Sequence, residues 1–338
     1  MSTPTHPFLS RVLKSALLGC FILGGSSVAM AADSDAPVQV VSNASTYRFI
    51  VGFGAGGIPD LGARLIAEKL AERQGVPAVV INRPGVGGTM AAQDVLAAPA
   101  DGTTILSVTP AHATAPAIYR EMRYDTLNDF APVTLIGDGP ALLVVPSDSA
   151  YATLEDLIDA ARANPGGLDY SSAGVGSSTH FAAELLKQQA DIDVLHIPYR
   201  GVSEALTEVM ASRVDFTMAP YVAAVEYVKE GRVRALAVTS RERVEEMPDL
   251  PTAMEAGLPD YEWAFWYGLL VPAQTPDETV QRLHQETAAI LRLPDVGGRL
   301  EEMGVTVSAD SPEAFQQLLE AEYEKFKQIA EEANIVPE

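Results

Sequence analysis

"YRFIVGFGAGGIPDLGARLIAEKL", residues 47–70, runs from an apolar, β-branched segment through a glycine-rich turn into a helical pattern. Strand, turn and helix in that order form half of a parallel βαβ unit, so the stretch predicts an α/β protein. Gly52, Gly54 and Gly57 also spell G-x-G-x-x-G, a fingerprint of dinucleotide-binding folds. Such a site needs an acidic residue about 20 positions on for the ribose hydroxyls. The next strand, "PAVVIN", ends instead in Asn82-Arg83, which leaves only a 2′-phosphate as an option. Pro59 and Asp60 open the helix, and a carboxylate there opposes a pyrophosphate at the same terminus. No cofactor is expected.

Outward from this unit, β-branched runs recur at 77–82, 103–109, 140–146, 168–173, 194–199, 214–219, 233–240 and 267–273. Helical patterns lie between them. The helix at 60–73 places Leu61, Leu65, Ile66 and Leu70 on one face, and Thr153 is an N-cap followed by Glu155-Asp156. Further helices fall at 201–213, 277–291 and 311–333. Two extended segments, 141–149 and 263–273, flank a middle block, as in a chain that leaves one domain, builds a second and returns. This predicts two lobes joined by two crossover strands, with a cleft between them. Residues 32–141 and 264–338 make the first lobe and 142–263 the second.

Ahead of this pattern, Arg11 and Lys14 precede the apolar stretch "SALLGCFILGG" and the small-x-small triplet Ala29-Met30-Ala31. That is the form of a cleaved export signal over residues 1–31, too short for a comfortable transmembrane span. Lipidation at Cys20 is the less favoured alternative. Cys20 is the single cysteine; its removal leaves no disulfide framework, cysteine-bound zinc or thiol nucleophile. The net charge of −22 repels phosphate backbones and argues against nucleic acid as a partner.

The glycine turn has siblings at "RPGVGGTM" (83–90) and "SSAGVGSSTHFAAELLKQQ" (171–189), each entering a helix. A helix start offers unpaired N–H donors at the positive end of the dipole, so it binds anions without Arg or Lys. One such loop from each lobe, facing across a cleft, would hold a small carboxylate.

Taken together, "FGAGGIPDLGARLIAEKL", "INRPGVGGTMAAQDVLAAPADGTTIL", "YDTLNDFAPV", "LDYSSAGVGSSTHFAAELLK", "IPYRG", "VKEGRVRALAVTS", "MPDLPTAMEAG" and "WYGLLVPAQTP" resemble the Bug-type solute receptors of tripartite tricarboxylate transporters. The resemblance runs from about Arg48 to the C-terminus. It implies a two-lobed, type II-like periplasmic binding protein that closes on a small organic acid (a di- or tricarboxylate, an aromatic acid or an amino acid) and docks, as a monomer, on integral-membrane transporter subunits. It implies a ligand site at Phe53, Ala55, Gly56, Gly57, Ile58, Pro59 and Asp60, facing Gly174, Gly176, Ser177, Ser178, Thr179 and His180. Thr109, Ala111, Tyr199, Arg200, Ala219 and Pro220 would contribute beside them. The family carries prolines where Gly52 and Gly54 stand here, so this loop is freer.

Other residues keep two readings. Asp215 orients a ligand amine or caps local backbone; Trp266 lines the cleft or packs the hinge; Arg200 meets a second ligand carboxylate or an acidic neighbour. A secreted, hydrolase-like α/β enzyme is the alternative function, with Ser177 and His180 as its only tempting pair. There is no G-x-S-x-G elbow and no paired-histidine metal spacing, so neither catalytic nor metal-binding residues are expected.

Overall fold

The computed structural model describes residues 46–335 and 337. The expected export signal and Cys20 lie outside them. Strand and helix alternate as the sequence patterning requires. β1 (Tyr47–Val51), α1 (Ile58–Gln74), β2 (Ala78–Asn82), α2 (Thr89–Leu96), β3 (Thr104–Val108) and α3 (Ala111–Ile118) lead into the long β4 (Phe130–Pro146). Then come α4 (Leu154–Ala163), β5 (Asp169–Ser172), α5 (Ser178–Ala190), β6 (Leu195–Pro198), α6 (Val202–Met210), β7 (Phe216–Pro220), α7 (Tyr221–Lys229) and β8 (Val233–Val238). The chain returns through β9 (Ala264–Pro272), α8 (Asp277–Leu291), α9 (Pro294–Glu302), β10 (Thr306–Asp310) and α10 (Pro312–Glu332).

Two mixed sheets share β4. Its first part, Phe130 to Pro140, pairs antiparallel with β9 and β10, and β9 continues to β3, β1 and β2. From Ala141 onward β4 pairs antiparallel with β7 and β8, and β7 continues parallel to β5 and β6. Helices flank both sheets. The fold is a two-lobed α/β binding-protein architecture, in which β4 passes from one sheet to the other at Pro140-Ala141.

The returning chain is fastened at the same place. Thr239 is fully buried; its Oγ1 accepts the Ala141 N–H (2.8 Å) and donates to the Trp263 carbonyl (2.6 Å). Backbone bonds from Thr239 N to Ala141 O and from Trp263 N to Thr239 O complete the tie.

Local sequence explains most of these elements. α4 begins with a capping box: Thr153 Oγ1 accepts from Asp156 N, and the Asp156 carboxylate accepts from Thr153 N. α1 ends at Gly75 in the left-handed conformation. Its buried face is Ala63, Ile66, Ala67 and Leu70, with Leu61 37% exposed. That i, i+3, i+4, i+7 set is rotated from the leucine-led face the sequence suggested, because small residues let the helix lie close on the sheet. Gly137 and Gly139 let β10 approach β4; a Cβ on either would meet a backbone carbonyl oxygen, of Thr306 or Gly304, at 2.2 Å. Across the helices, Phe181 of α5 meets Phe326 of α10 edge-on at 5.3 Å, and Trp263 packs beside it at 5.6 Å.

Candidate functional site

The strand registers decide where the loops point. In the first sheet Val108 pairs with Gly268 and Ala264 pairs with Pro140, so β3 and its parallel neighbour β1 run toward the crossover. In the second, Pro220 pairs with Ala141, so β7, β5 and β6 also end there. The loops 52–57 and 109–110 of one lobe therefore face 173–177, 199–201 and 220–221 of the other. The carboxyl ends of strands are where open α/β sheets bind ligands.

The first loop is built around Asp60, which is 1% exposed. Its Oδ2 accepts from Gly56 N (2.9 Å) and Arg64 Nε (3.0 Å), and its Oδ1 from Arg64 Nη2 (2.9 Å) and Asn82 Nδ2 (2.9 Å). Asn82 also donates to the Phe53 carbonyl (3.1 Å), and Ser107 Oγ donates to the Pro59 carbonyl (3.1 Å). Burial pushes the Asp60 carboxyl up, but Arg64, the Gly56 N–H and Asn82 together outweigh it and hold the group below its ordinary range. Asp60 is thus fully engaged as the organiser of the loop, and Arg64 neutralises it. Gly57, the N-cap of α1, has no side-chain cap, so the first-turn amides of α1 meet no capping side chain. Asn82 stands where a ribose-binding carboxylate would be sought; its amide instead ties the loop to Asp60.

Gly54 and Gly56 have open space where a Cβ would stand, and Gly56 has φ +90°. Gly52 differs: a Cβ there would lie 2.7 Å from the Gly88 Cα. The two glycine loops of the first lobe cross at that point.

The second loop is held by neutral groups. Ser177 caps α5 by accepting from His180 N (3.3 Å), and donates to the Gly174 carbonyl (2.7 Å). Thr179 Oγ1 accepts from Ala173 N (2.8 Å), and His180 Nδ1 accepts from Gly176 N (3.2 Å). Ser172 Oγ accepts from Gly174 N (3.1 Å) and lies 2.6 Å from His196 Nε2. Thr114 of α3 reaches across from the other lobe to donate to the Gly176 carbonyl (3.0 Å). Gly176 has φ +78°, and a Cβ there would lie 2.6 Å from Ile118 Cγ1.

Of the remaining expected residues, Thr109 and Ala111 sit at the start of α3, where Thr109 Oγ1 accepts from Ala111 N (3.3 Å). Ser178 opens α5. Tyr199 donates its N–H to the Ser172 carbonyl (3.0 Å), which sets exposed Arg200 beside the Gly174 loop; the Arg200 N–H donates to Glu204 (3.0 Å). Ala219 and Pro220 pair with Leu142 and Ala141 at the crossover. Asp215 and Trp266 are not brought to this place. Asp215 precedes β7, at the far end of the sheet, where it and Asp169 each accept the other's backbone N–H at 2.9 and 3.0 Å. There it lines a pocket of about 420 Å³ with Asp148, Tyr151 and Arg213. Trp266 is 2% exposed; its Nε1 donates to Glu322 (3.1 Å) and its ring meets Phe315 edge-on, which fits the packing alternative.

The histidine geometry bears on catalysis. His180 turns its ring to Gly176 and only its backbone N–H to Ser177, so the two do not form a nucleophile–base pair. Ser172 does touch His196, but its hydroxyl is fully buried and holds Gly174. Among the described residues no group of three or more His, Cys, Asp or Glu side chains could hold a metal ion, and no helix is long and apolar enough to cross a membrane.

Known proteins share this arrangement. The model of the tripartite tricarboxylate transporter family receptor matches residues 62–335. The chain belongs to that family. A curated relative from Pseudomonas sp. strain P51, encoded between tcbD and tcbE, is 36% identical over 310 residues, 91% of this chain and 92% of the relative. A solved R. palustris protein with adipate is 36% identical with a TM-score of 0.79, covering 87% of this chain and 98% of that one. MatC from Rhodopseudomonas palustris, solved with bound malate, is 31% identical with a TM-score of 0.75, covering 84% and 98%. By family and fold this receptor is a solute-binding protein.

Residues missed by the sequence reading are those that hold the loops. The Asp60/Arg64 spacing of four on one helix was a usable signal. Thr114, Ser172 and His196 gave none, because their contacts cross between elements.

Proposed function

We propose that the chain is a periplasmic receptor that captures a small organic carboxylate between its lobes and delivers it, as a monomer, to integral-membrane transporter subunits. The lobes are residues 32–141 with 264–338, and 142–263. The observation that carries this reading is the facing pair of glycine loops, each entering a helix at the carboxyl end of a parallel strand. Pro59 has no N–H and Asp60 N turns back to the Gly57 carbonyl, so Ile58 of α1, with Val175, Ser178 and Thr179 of the second loop, supplies the anion donors. Arg200 is the candidate partner of a second carboxylate. Adipate and malate in two relatives support the ligand class, and the signal-like residues 1–31 support export.

The receptor binds stoichiometrically and without turnover. A thermal-shift screen of the mature chain with dicarboxylates, tricarboxylates, aromatic acids and amino acids tests this. At ~100-fold excess over Kd the ligand adds roughly 2.7 kcal/mol and raises Tm. A screen in which no carboxylate moves Tm, or one in which an ester is hydrolysed and Ser177→Ala abolishes the hydrolysis, defeats the proposal.

A further inference from the structure

Behind the second loop lies a stack of polar rings that ordinary ligand contact does not require. The imidazoles of His180 and His196 are nearly parallel, 13° apart, with centroids at 4.1 Å. Tyr170 lies beneath His196 at 4.8 Å. Each imidazole reaches the loop. His180 Nδ1 takes the Gly176 N–H, and His196 Nε2 meets Ser172 Oγ, which in turn donates to the Gly174 carbonyl (3.2 Å) and accepts its N–H.

These bonds fix the protons. Because Nδ1 of His180 accepts, its ring proton sits on Nε2, which faces Glu184 Oε1 at 3.9 Å. Because Ser172 gives its proton to Gly174, His196 donates from Nε2. Glu184 is occupied on the same oxygen by the Tyr170 hydroxyl (2.5 Å) and Lys187 Nζ (3.0 Å). Around the stack the titratable groups are therefore Tyr170 on β5, Glu184 and Lys187 on α5, and each histidine to the other. On α10, which packs against α5, Glu332 shares a groove with Glu184 and Lys187.

We propose that His180 is a positioning residue: as a neutral imidazole, stacked on His196, it shapes the amides of residues 173–177, and its protonation disassembles the anion-binding loop. A protonated His180 carries a hydrogen on Nδ1, directed at the Gly176 N–H that it must otherwise accept. Burial makes that charge hard to bear, and Lys187 adds to the effect. Burial pushes His180 down to about 4 and His196 to about 3, so both are neutral at neutral pH. The consequence is acid loss of affinity that belongs to the protein and not to the ligand's own protonation. This rests on reading the loop as part of a carboxylate site, so one arm of the test avoids ligand altogether.

Amide hydrogen exchange of residues 173–177 is measured on the ligand-free mature chain, wild type, His180→Leu and His180→Asn. Calorimetry with adipate as probe follows at several pH values. His180→Leu removes the acceptor; it speeds exchange in the loop and weakens adipate by about tenfold, the worth of one lost hydrogen bond. In His180→Asn, Oδ1 takes the place of Nδ1 and does not titrate. That variant restores slow exchange and binds at acid pH with only the loss that adipate's own protonation imposes. Wild-type exchange rates in His180→Leu, or an acid loss in His180→Asn equal to that of wild type, overturn the proposal. Failure of wild type to bind adipate counts against the carboxylate reading on this probe, and the exchange arm then decides the positioning role.

Discussion

Residues 52–57 are tied down by a carboxylate, a guanidinium and an amide, whereas residues 173–177 are tied down by hydroxyls and neutral imidazoles. Both follow the carboxyl end of a parallel strand beside the crossover at Pro140-Ala141. In the first, a buried charge is answered by Arg64, whose side chain is 47% exposed, and Gly54 and Gly56 stand in open space. In the second, charge is kept out and the glycine backbone is pressed against Ile118 and Tyr199. Two loops of like purpose can thus differ in what disturbs them: the first yields when its ion pair is broken, the second when a proton arrives or a methyl group intrudes.

Acid separates them most strongly. His112, 6% exposed beside Tyr124 and Phe130, is pushed by burial to about 4, from an ordinary 6.5. It joins His180 and His196 in a set whose folded values lie below their unfolded ones. The unfolded chain then binds more protons, so stability is complete above about pH 6.5 and falls as pH drops toward 4. A shift of this size corresponds to about 3 kcal/mol for His112 alone. Asp60 has a lowered value, so its contribution is lost only as pH falls through the carboxylate range below that window. Urea denaturation across pH 7 to 4, with exchange read in each loop, is expected to show the second loop loosening first. Loss of the first loop at higher pH than the second breaks the comparison.

Gly176→Ala comes next. A Cβ 2.6 Å from Ile118 combined with φ +78° adds overpacking to left-handed strain, about 3 kcal/mol in all. The chemical midpoint falls, and carboxylate binding with it. Asp60→Ala leaves the Gly56 N–H and Asn82 without their acceptor, though Arg64 regains water; about 2 kcal/mol is expected, with the exchange change confined to the first loop. The smallest effect has the opposite sign. Gly54→Ala places a Cβ with nothing within 4 Å at a site outside the left-handed region and narrows the unfolded chain's freedom, worth about 0.5 kcal/mol of stabilisation. Gly52→Ala, at the same motif, collides with the Gly88 backbone and destabilises. Thermal melts of the two variants moving in the same direction would show that the crossing of the glycine loops is not tight.

The strand–glycine–helix units were legible because each is local: apolar run, turn and cap lie within about thirty residues. The same holds for the Thr153 capping box. The first part of β4 was not, because Pro132, Gly137, Gly139 and Pro140 read as breakers, and only the approach of β10 and shifts in register explain them. α3, "AHATAPAI", is buried on nearly every side and so has no polar face to give it a period. α9 carries Gly297 and Gly298 within its nine residues, and a Cβ on Gly297 would meet the Leu291 carbonyl. At the site, the loops themselves were visible as glycine patterns. Their supports were not, since Ser172–His196 and Thr114–Gly176 join residues far apart in sequence.

The fastening at Thr239 bears on how such proteins can be recombined. Its hydroxyl contacts only main-chain groups, the Ala141 N–H and the Trp263 carbonyl, and its own backbone completes the tie. A graft of residues 142–263 carries Thr239 and Trp263 with it and asks the recipient for a peptide group at 141, which any residue but proline provides. That tie is thereby indifferent to the host's side chains, and the side chains a host must still supply at the seam are Phe326, against Phe181 and Trp263, and Thr114 and Ile118, against Gly176.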